Sequence, residues 1–377
     1  MKNHYQLEYN RRFPRPQIYV KSPGRVNIIG EHIDYNHGVV LPFTIKQSIH
    51  LIIGTNTKNL LRVHSLDLNE YKEYSLDKLT FMDEGWVRYF VNSIVALDVN
   101  ISKGIDVIFG GDLPQGAGLS SSSSLTCGFL AGLNACFSLN LSKDQLINLA
   151  SQAENGIGLQ GGMMDQTAVV KGKNDHAVKI DFLDFSTEEI PLPGKPFTFY
   201  IFNSGQKHNL VETGYNQRRA TCEKGLKQIQ SSNSQVQNFR DVREGDLLNI
   251  SDSVTRKRCR HVIEENERVL ESIEILKSGK FEKLGSLINA SHESLSKLYE
   301  SSTPEIDILV QKSRSLTNHI GGRIMGGGFG GSTINLFNGP ILEQEVVKLK
   351  KTYYEETGYK LDIIKAESGE GLTVEIL

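Results

Sequence analysis

The sequence predicts a chain of mixed strands and helices divided into two domains. Length, periodicity and one proline-rich break point to this. The chain has 377 residues, more than a single hydrophobic core usually organises. Strand-like alternation and four-residue helical steps follow one another along it. Near the middle, Ile190-Pro191-Leu192-Pro193-Gly194-Lys195-Pro196 holds three of the ten prolines and reads as a domain connector.

From about 18 to 53, short β-branched runs alternate with turn residues, which predicts a hairpin-rich sheet. That sheet carries Gly24-Arg25-Val26-Asn27-Ile28-Ile29-Gly30-Glu31-His32. Helical patterns follow at about 86 to 97, 120 to 137 and 142 to 155. Ile105, Val107 and Phe109 alternate as a half-buried strand before the second of these, and Leu125, Phe129, Leu133 and Phe137 recur along it at four-residue steps. Beyond the connector, Phe197 to Phe202 is apolar enough for a buried strand. Helical patterns then dominate from about 211 to 314, followed by a glycine cluster, a strand, a helix near 341 to 356 and final strands. No repeat or low-complexity tract interrupts the order.

Charge and cysteine usage exclude several classes. With 42 basic and 44 acidic residues the net charge is −2, giving no general electrostatic case for nucleic-acid or membrane binding. The basic run Arg256 to His261 reads as a solvated helix face, since Val254, Val262, Val269 and Ile273 supply the inward stripe. Cys127, Cys136, Cys222 and Cys259 lack metal-ligand spacing. The N-terminus, with Lys2, Glu8, Arg11 and Arg12, lacks the apolar core of a signal peptide, and no run reaches the length of a membrane span. A reduced, soluble, cytoplasmic protein is the expectation.

The segment Pro114-Gln115-Gly116-Ala117-Gly118-Leu119 running into Ser120 to Ser124 joins a strand to a helix. Gly116 and Gly118 allow close backbone approach to a ligand, and serines suit a helix N-cap. Free N–H groups and the positive end of the helix dipole favour phosphate there. A flexible Gly/Ser linker is not usually followed at once by a four-turn apolar stripe. No G-x-x-x-x-G-K-[ST] occurs, so the lysine-bearing P-loop is absent. Gly326, Gly328 and Gly331 fit G-x-G-x-x-G, but Ser332 to Phe337 after them alternates as a strand, whereas a dinucleotide fingerprint opens a helix.

Two polar constellations remain. Glu31, His32, Asp34, Tyr35 and Asn36 crowd hydrogen-bonding side chains just after an apolar strand, which is either a solvated turn or a site for a polyhydroxylated ligand. In Gly161-Gly162-Met163-Met164-Asp165-Gln166 a lone acid sits among glycines and methionines, as a turn residue or as a proton-handling carboxylate.

Taken together, the ordered motifs resemble galactokinases within the GHMP small-molecule kinases. Pro23 to Asn36 is similar to the galactokinase signature, Gly116 to Ser122 to the superfamily phosphate loop, and Gly326 to Gly331 to its C-terminal glycine motif. Asn203-Ser204, Lys207-His208, Tyr215, Arg218, Arg219 and Arg258 to Val262 extend the likeness over nearly the whole chain. The resemblance implies an α+β, two-domain GHMP kinase fold, residues 1–192 and 193–377, with ATP and sugar meeting in the interdomain cleft. It implies Arg25, Glu31, His32, Asp34, Gly162, Asp165 and Tyr215 on the sugar side, with Glu31, His32 and Asp34 holding ring and C6 hydroxyls. Trp86 falls near the adenine, and Gly116, Gly118, Leu119, Ser120, Ser121 and Ser122 around the phosphates. Glu154 is the implied acidic ligand of Mg2+, with the Ser122 hydroxyl beside it.

The implied reaction moves the γ-phosphoryl of ATP to the C1 hydroxyl of galactose, a step that asks mainly for positioning and charge neutralisation. Asp165 is the group to accept or orient the hydroxyl proton, and Arg25 close by favours its charged form. Neither a nucleic-acid nor an obligate protein partner is implied. The chain departs from the family pattern at Arg323-Ile324-Met325, Ser332 and Arg88-Tyr89-Phe90. Those departures keep open another C1 acceptor, such as N-acetylgalactosamine, arabinose or a uronic acid. A non-catalytic sugar sensor is the remaining reading, against which Ser120 to Ser124 and Asp165 are intact.

Overall fold

The structure is a computed structural model that describes residues 1–83, 85–99, 101–114, 116–155, 162–206 and 211–377, with the backbone alone at 155 and 211–213. Gln115, Gly161, Lys207 and His208, singled out in the sequence, lie outside the described residues. In chain order the strands are β1 (Ile18–Asn27), β2 (Val39–Val40), β3 (Pro42–Asn56), β4 (Leu60–Ser65), β5 (Glu70–Ser75) and β6 (Gly104–Gly111). They continue as β7 (His176–Asp181), β8 (Thr187–Pro191), β9 (Phe197–Asn203), β10 (His319–Met325), β11 (Ser332–Asn338), β12 (Asp362–Ala366) and β13 (Thr373–Ile376). The helices are α1 (Lys2–Asn10), α2 (Arg88–Leu97), α3 (Ser121–Phe137), α4 (Lys143–Asn155) and α5 (Met164–Lys171). The later half adds α6 (Val211–Ser232), α7 (Ser253–Ser278), α8 (Leu284–Lys297), α9 (Pro304–Ser313) and α10 (Glu343–Thr357).

One sheet runs β13-β1-β3-β6-β4-β5, and its alternation decides which helix covers which face. On β3, Leu51 and Ile53 join the main core, while Ile52 between them packs outward with Tyr5 and Tyr9 of α1. The inner face receives α3, which lies close because a Cβ at Gly132 would meet Ile53 Cδ1 at 2.2 Å. A second sheet, β10-β11-β9-β12, carries α9 and α10 on one side through Phe202, Leu309, Phe337, Leu349 and Tyr353. A third, β2-β7-β8, closes the first half.

The mixed α+β architecture and each sequence-predicted helix are present, with bounds shifted by a few residues. The glycine cluster connects β10 to β11, an antiparallel pair, so its role is a turn between strands and not a helix start. Three features escaped the periodicity. The short polar α1, the β4–β5 hairpin and α5 lie in stretches whose apolar stripes are weak, and Asp165 consequently sits in the first turn of a helix rather than in a free turn. The last strand, β13, leaves the second half and pairs antiparallel with β1, Ile18 opposite Ile376.

Candidate active site

The centre of the site is an ion pair built by three segments. Between Pro23 and Arg25 the pairing of β1 with β3 shifts register, which turns the Arg25 side chain toward the loop before α3. Gly24 makes this possible, since a Cβ there would meet Leu113 Cδ1 at 2.4 Å. Arg25 donates through Nε and Nη2 to the two oxygens of Asp165, each at 2.7 Å, and through Nη1 to the Gly118 carbonyl at 2.7 Å. Its backbone N–H donates to the Leu119 carbonyl. The fork geometry fixes the carboxylate in one plane. Arg25 is buried, and Asp165, with Glu31 and Asp34 beyond it, holds the guanidinium in its charged form against desolvation.

The serine run divides its work. Gly116 and Gly118 both take the left-handed conformation, φ +71°, that the tight loop requires. Ser120 is left-handed as well, and its hydroxyl makes no cap to α3. It donates instead to Asp165 Oδ2, a charged acceptor that outcompetes a cap. The expected side-chain N-cap is therefore absent. Ser124 donates to the Pro23 carbonyl, and Ser123 to Glu154 Oε2 at 3.1 Å. Gln166 donates to Glu154 Oε1 at 2.9 Å, and Ser122 also faces this carboxyl. Burial raises Glu154 to about 7, with the Asp165 charge adding to the shift.

Beyond Asp165 lies a cluster of polar and aromatic groups. Asp34 begins a single turn of 3-10 helix after the signature strand, and a Cβ at Gly162 would strike its Oδ2 at 2.2 Å, so only glycine fits opposite it. Burial raises Asp34 to about 7, and the charges of Asp165 and Glu31 push the same way. The Tyr215 phenol is hydrogen-bonded by the Gly162 backbone. Its ring packs against Tyr35, centroids 4.8 Å apart, and against His32 at 5.4 Å. His32 is left-handed and buried, and burial lowers its imidazole to about 3, so the ring is neutral.

The second half of the chain holds this cluster from behind. Arg323, wholly buried on β10, donates to the carbonyls of Asn27 and Ile28 and to Glu31 Oε1 at 3.2 Å. The same oxygen accepts the Gly326 N–H at 2.8 Å. On α7, Glu265 accepts the Gly30 N–H at 3.0 Å, and His261 Nε2 lies 3.2 Å from the Glu31 carbonyl. Ser332 donates to the Ala117 carbonyl of the serine loop at 2.7 Å. The Glu31 carboxylate thus has one oxygen committed to the chain itself. Arg323 and His261 entered the sequence reading only within the family stretches Arg323-Ile324-Met325 and Arg258 to Val262, with no site role given to either, and Glu265 was not singled out. Arg218 binds the Tyr299 carbonyl at 3.2 Å and stacks over Phe329 of the glycine cluster at 4.8 Å.

On the other side of the serine loop is a cavity of about 300 Å³. Trp86, Tyr89 and Phe109 form its aromatic wall, and Gly116, Ser121 and Ser122 its phosphate-loop end. Trp86 precedes α2 and is fixed by a 2.7 Å hydrogen bond from its indole N–H to Glu70. A flat apolar wall ending in a glycine–serine loop suits a purine nucleotide whose phosphates reach Ser121 and Ser122. Trp86, Gly116, Ser121 and Ser122 line this cavity, Ser120 bonds to the Asp165 that Arg25 holds, and His32 packs against Tyr215.

Such an arrangement, on two packed α+β halves, defines a small-molecule kinase of the GHMP type. Residues 88–173 match the GHMP kinases N terminal domain and 272–355 the GHMP kinases C terminal, while 4–55 match the galactokinase galactose-binding signature. The galactokinase of Thermotoga maritima is 37% identical over 357 residues, covering 94% of this chain and 99% of the relative. That of Clostridium perfringens is 33% identical and covers 95% of each chain. The crystal structure of Lactococcus lactis galactokinase complexed with galactose superimposes with a TM-score of 0.91 at 29% identity, over 99% of both chains. The chain therefore belongs to the galactokinase family. Methanococcus jannaschii mevalonate kinase, TM-score 0.67 at 18% identity, shares the fold.

Proposed function

We propose that this chain is an ATP-dependent galactokinase that phosphorylates the C1 hydroxyl of galactose, giving galactose 1-phosphate and ADP. The observation that carries the reading is the Arg25–Asp165 pair, flanked on one side by the serine loop and its aromatic cavity and on the other by Asp34, His32 and Tyr215. Two domains, 1–192 and 193–377, form the cleft, with the closing strand of the second inserted in the sheet of the first.

The sugar lies against Tyr215, with Asp34, His32 and Glu31 holding its hydroxyls. Asp165 receives the C1 hydroxyl. Both of its oxygens already accept from Arg25 and one from Ser120, so it acts chiefly by orienting the hydroxyl and placing negative charge beside it, taking the proton as the bond to phosphorus forms. Arg25 and the loop N–H groups face the oxygens on which negative charge grows. The residues around Glu154 fit a divalent cation. A buried carboxyl raised to about 7, with hydroxyls beside it and no basic partner among the described residues, gains its charge when a cation arrives. Glu154 and Ser122 would hold Mg2+, which supplies neutralisation of the phosphate oxygens.

We further place the protein in the cytoplasm; among the described residues no helix is long and apolar enough to cross a membrane. ATP consumption measured with galactose, N-acetylgalactosamine, glucose, arabinose and galacturonate tests the reading. Turnover with galactose well above the others is expected, and preferred turnover of another sugar would reassign the acceptor.

A further inference from the structure

One face of α7 is fitted to the backbone of the signature segment. His261 and Glu265 stand four residues apart on that face, about one turn along the helix. His261 Nε2 lies 3.2 Å from the Glu31 carbonyl oxygen, and Glu265 Oε1 accepts the Gly30 N–H at 3.0 Å. Val269, one turn further on, comes close to Gly30 itself: a Cβ there would lie 3.0 Å from Val269 Cγ2, and the left-handed φ of +104° also asks for glycine. Behind α7, two serines of α8 bond to the same two side chains. Ser294 Oγ lies 2.8 Å from His261 Nδ1, and Ser291 Oγ 2.6 Å from Glu265 Oε1. His261, Glu265 and Ser291 are fully buried.

The direction of each bond follows from backbone groups whose roles are fixed, since a carbonyl oxygen only accepts and a peptide N–H only donates. The His261 ring therefore carries its proton on Nε2 and gives it to Glu31, while the Glu265 carboxylate receives from Gly30. Burial lowers the His261 imidazole to about 4, so at neutral pH the ring holds no second proton and Nδ1 accepts from the Ser294 hydroxyl. Ser291 donates to Glu265 in the same way, and the other Glu265 oxygen accepts from Arg268 Nε at 2.8 Å. One donor and one acceptor on α7 thus take the first and last polar backbone atoms of the Gly30–Glu31 dipeptide, which fixes its path just before His32 and Asp34. We propose that His261, with Glu265 beside it, is a positioning residue that holds this backbone in register for sugar binding. The step to the sugar rests on the reading under Proposed function; the clamp on the backbone does not.

Substitutions at one position separate this role from bulk packing. A glutamine amide nitrogen reaches as far as Nε2 and an asparagine one only as far as Nδ1, so His261→Gln keeps the donor to Glu31 and His261→Asn loses it. Steady-state kinetics on His261→Asn should show KM for galactose raised roughly 5- to 20-fold, with KM for ATP and kcat at saturating galactose within about twofold, the pattern of one lost buried hydrogen bond on the sugar side. Hydrogen–deuterium exchange of the ligand-free variant should quicken over residues 28–36. His261→Gln should restore both readouts to within about twofold of wild type, and Ser294→Ala should follow His261→Asn by less. Nitrogen-15 NMR of histidine-labelled wild type, with His261→Gln identifying the resonance, is expected to show Nε2–H. A wild-type ring protonated on Nδ1 alone overturns the proposal. So does His261→Asn that matches wild type in exchange, that loses galactose and ATP alike, or that His261→Gln does not improve on; if His261→Asn does not fold, Ser294→Ala against wild type decides in its place. If exchange quickens while KM for galactose stays put, or if the wild type does not turn over galactose, the clamp stands and the sugar reading falls.

Discussion

The proposed nucleotide end and the proposed sugar end of the site are constructed differently. The cavity beside Trp86 is lined by residues from Ile49 to Leu125, on the first sheet, the helices against it and the segments that connect them. The sugar end starts from the same β1, but its backbone is held by Arg323, Glu265 and His261, and its Glu31 carboxylate by the Gly326 N–H, all from the second half. One end is a local product of strand, loop and helix. The other exists only when the halves dock, which makes its geometry a report on their packing.

Asp165, where the ends meet, gives the largest effect. Asp165→Asn keeps the shape and one hydrogen-bonding oxygen but removes the charge opposite Arg25, so kcat should fall on the order of a thousandfold while galactose still binds, as isothermal calorimetry would register. Turnover near normal would remove Asp165 from the chemistry. Asp34→Ala tests the independence of the two ends: galactose affinity should drop roughly 10- to 100-fold, the worth of a charge-assisted hydrogen bond, with ATP affinity within about twofold. Equal losses for both ligands would show that the ends are coupled.

A pH series separates them differently. Glu154 must lose its proton to hold a cation, so the Mg2+ concentration for half-activation should rise about tenfold per pH unit below about 7 and level off above it. A flat profile would place the metal elsewhere. In the ligand-free protein the sign is opposite: Glu154 and Asp34 bind protons more tightly folded than unfolded, so their contribution to stability is full below their ordinary values of 4.5 and 3.8 and lost as pH rises through about 7. Thermal melts across pH 5 to 8 read this. The smallest effect is expected at the nucleotide wall, where Trp86→Ala should raise the KM for ATP about fivefold and leave galactose affinity unchanged.

Much of the nucleotide end was legible in the sequence because its cause is local. The alternation of Ile105, Val107 and Phe109, the glycines of the loop and the four-step stripe of α3 lie within one continuous stretch, and strand, turn and helix follow from it. The sugar end was legible only as residues, Glu31, His32 and Asp34, without the partners that shape it. Arg323 and Glu31 are 292 positions apart and Gly30 and Glu265 235 apart, and no periodicity reports a contact of that span. The Ser120 hydroxyl was misjudged for a related reason. N-capping is its local preference, but Asp165, 45 positions away, is a stronger acceptor. The N-terminal α1 was invisible because only Tyr5 and Tyr9 of its residues are buried, too few to make a stripe.

The chain passes between the halves twice, once through the proline-rich segment after β8 and once between β12 and β13. A body tethered at one point can swivel in any direction; tethered at two, it turns only about the line that joins them. The two crossings tie one half to the other at two places, and a cut between Ala366 and Thr373 would leave a single covalent tether.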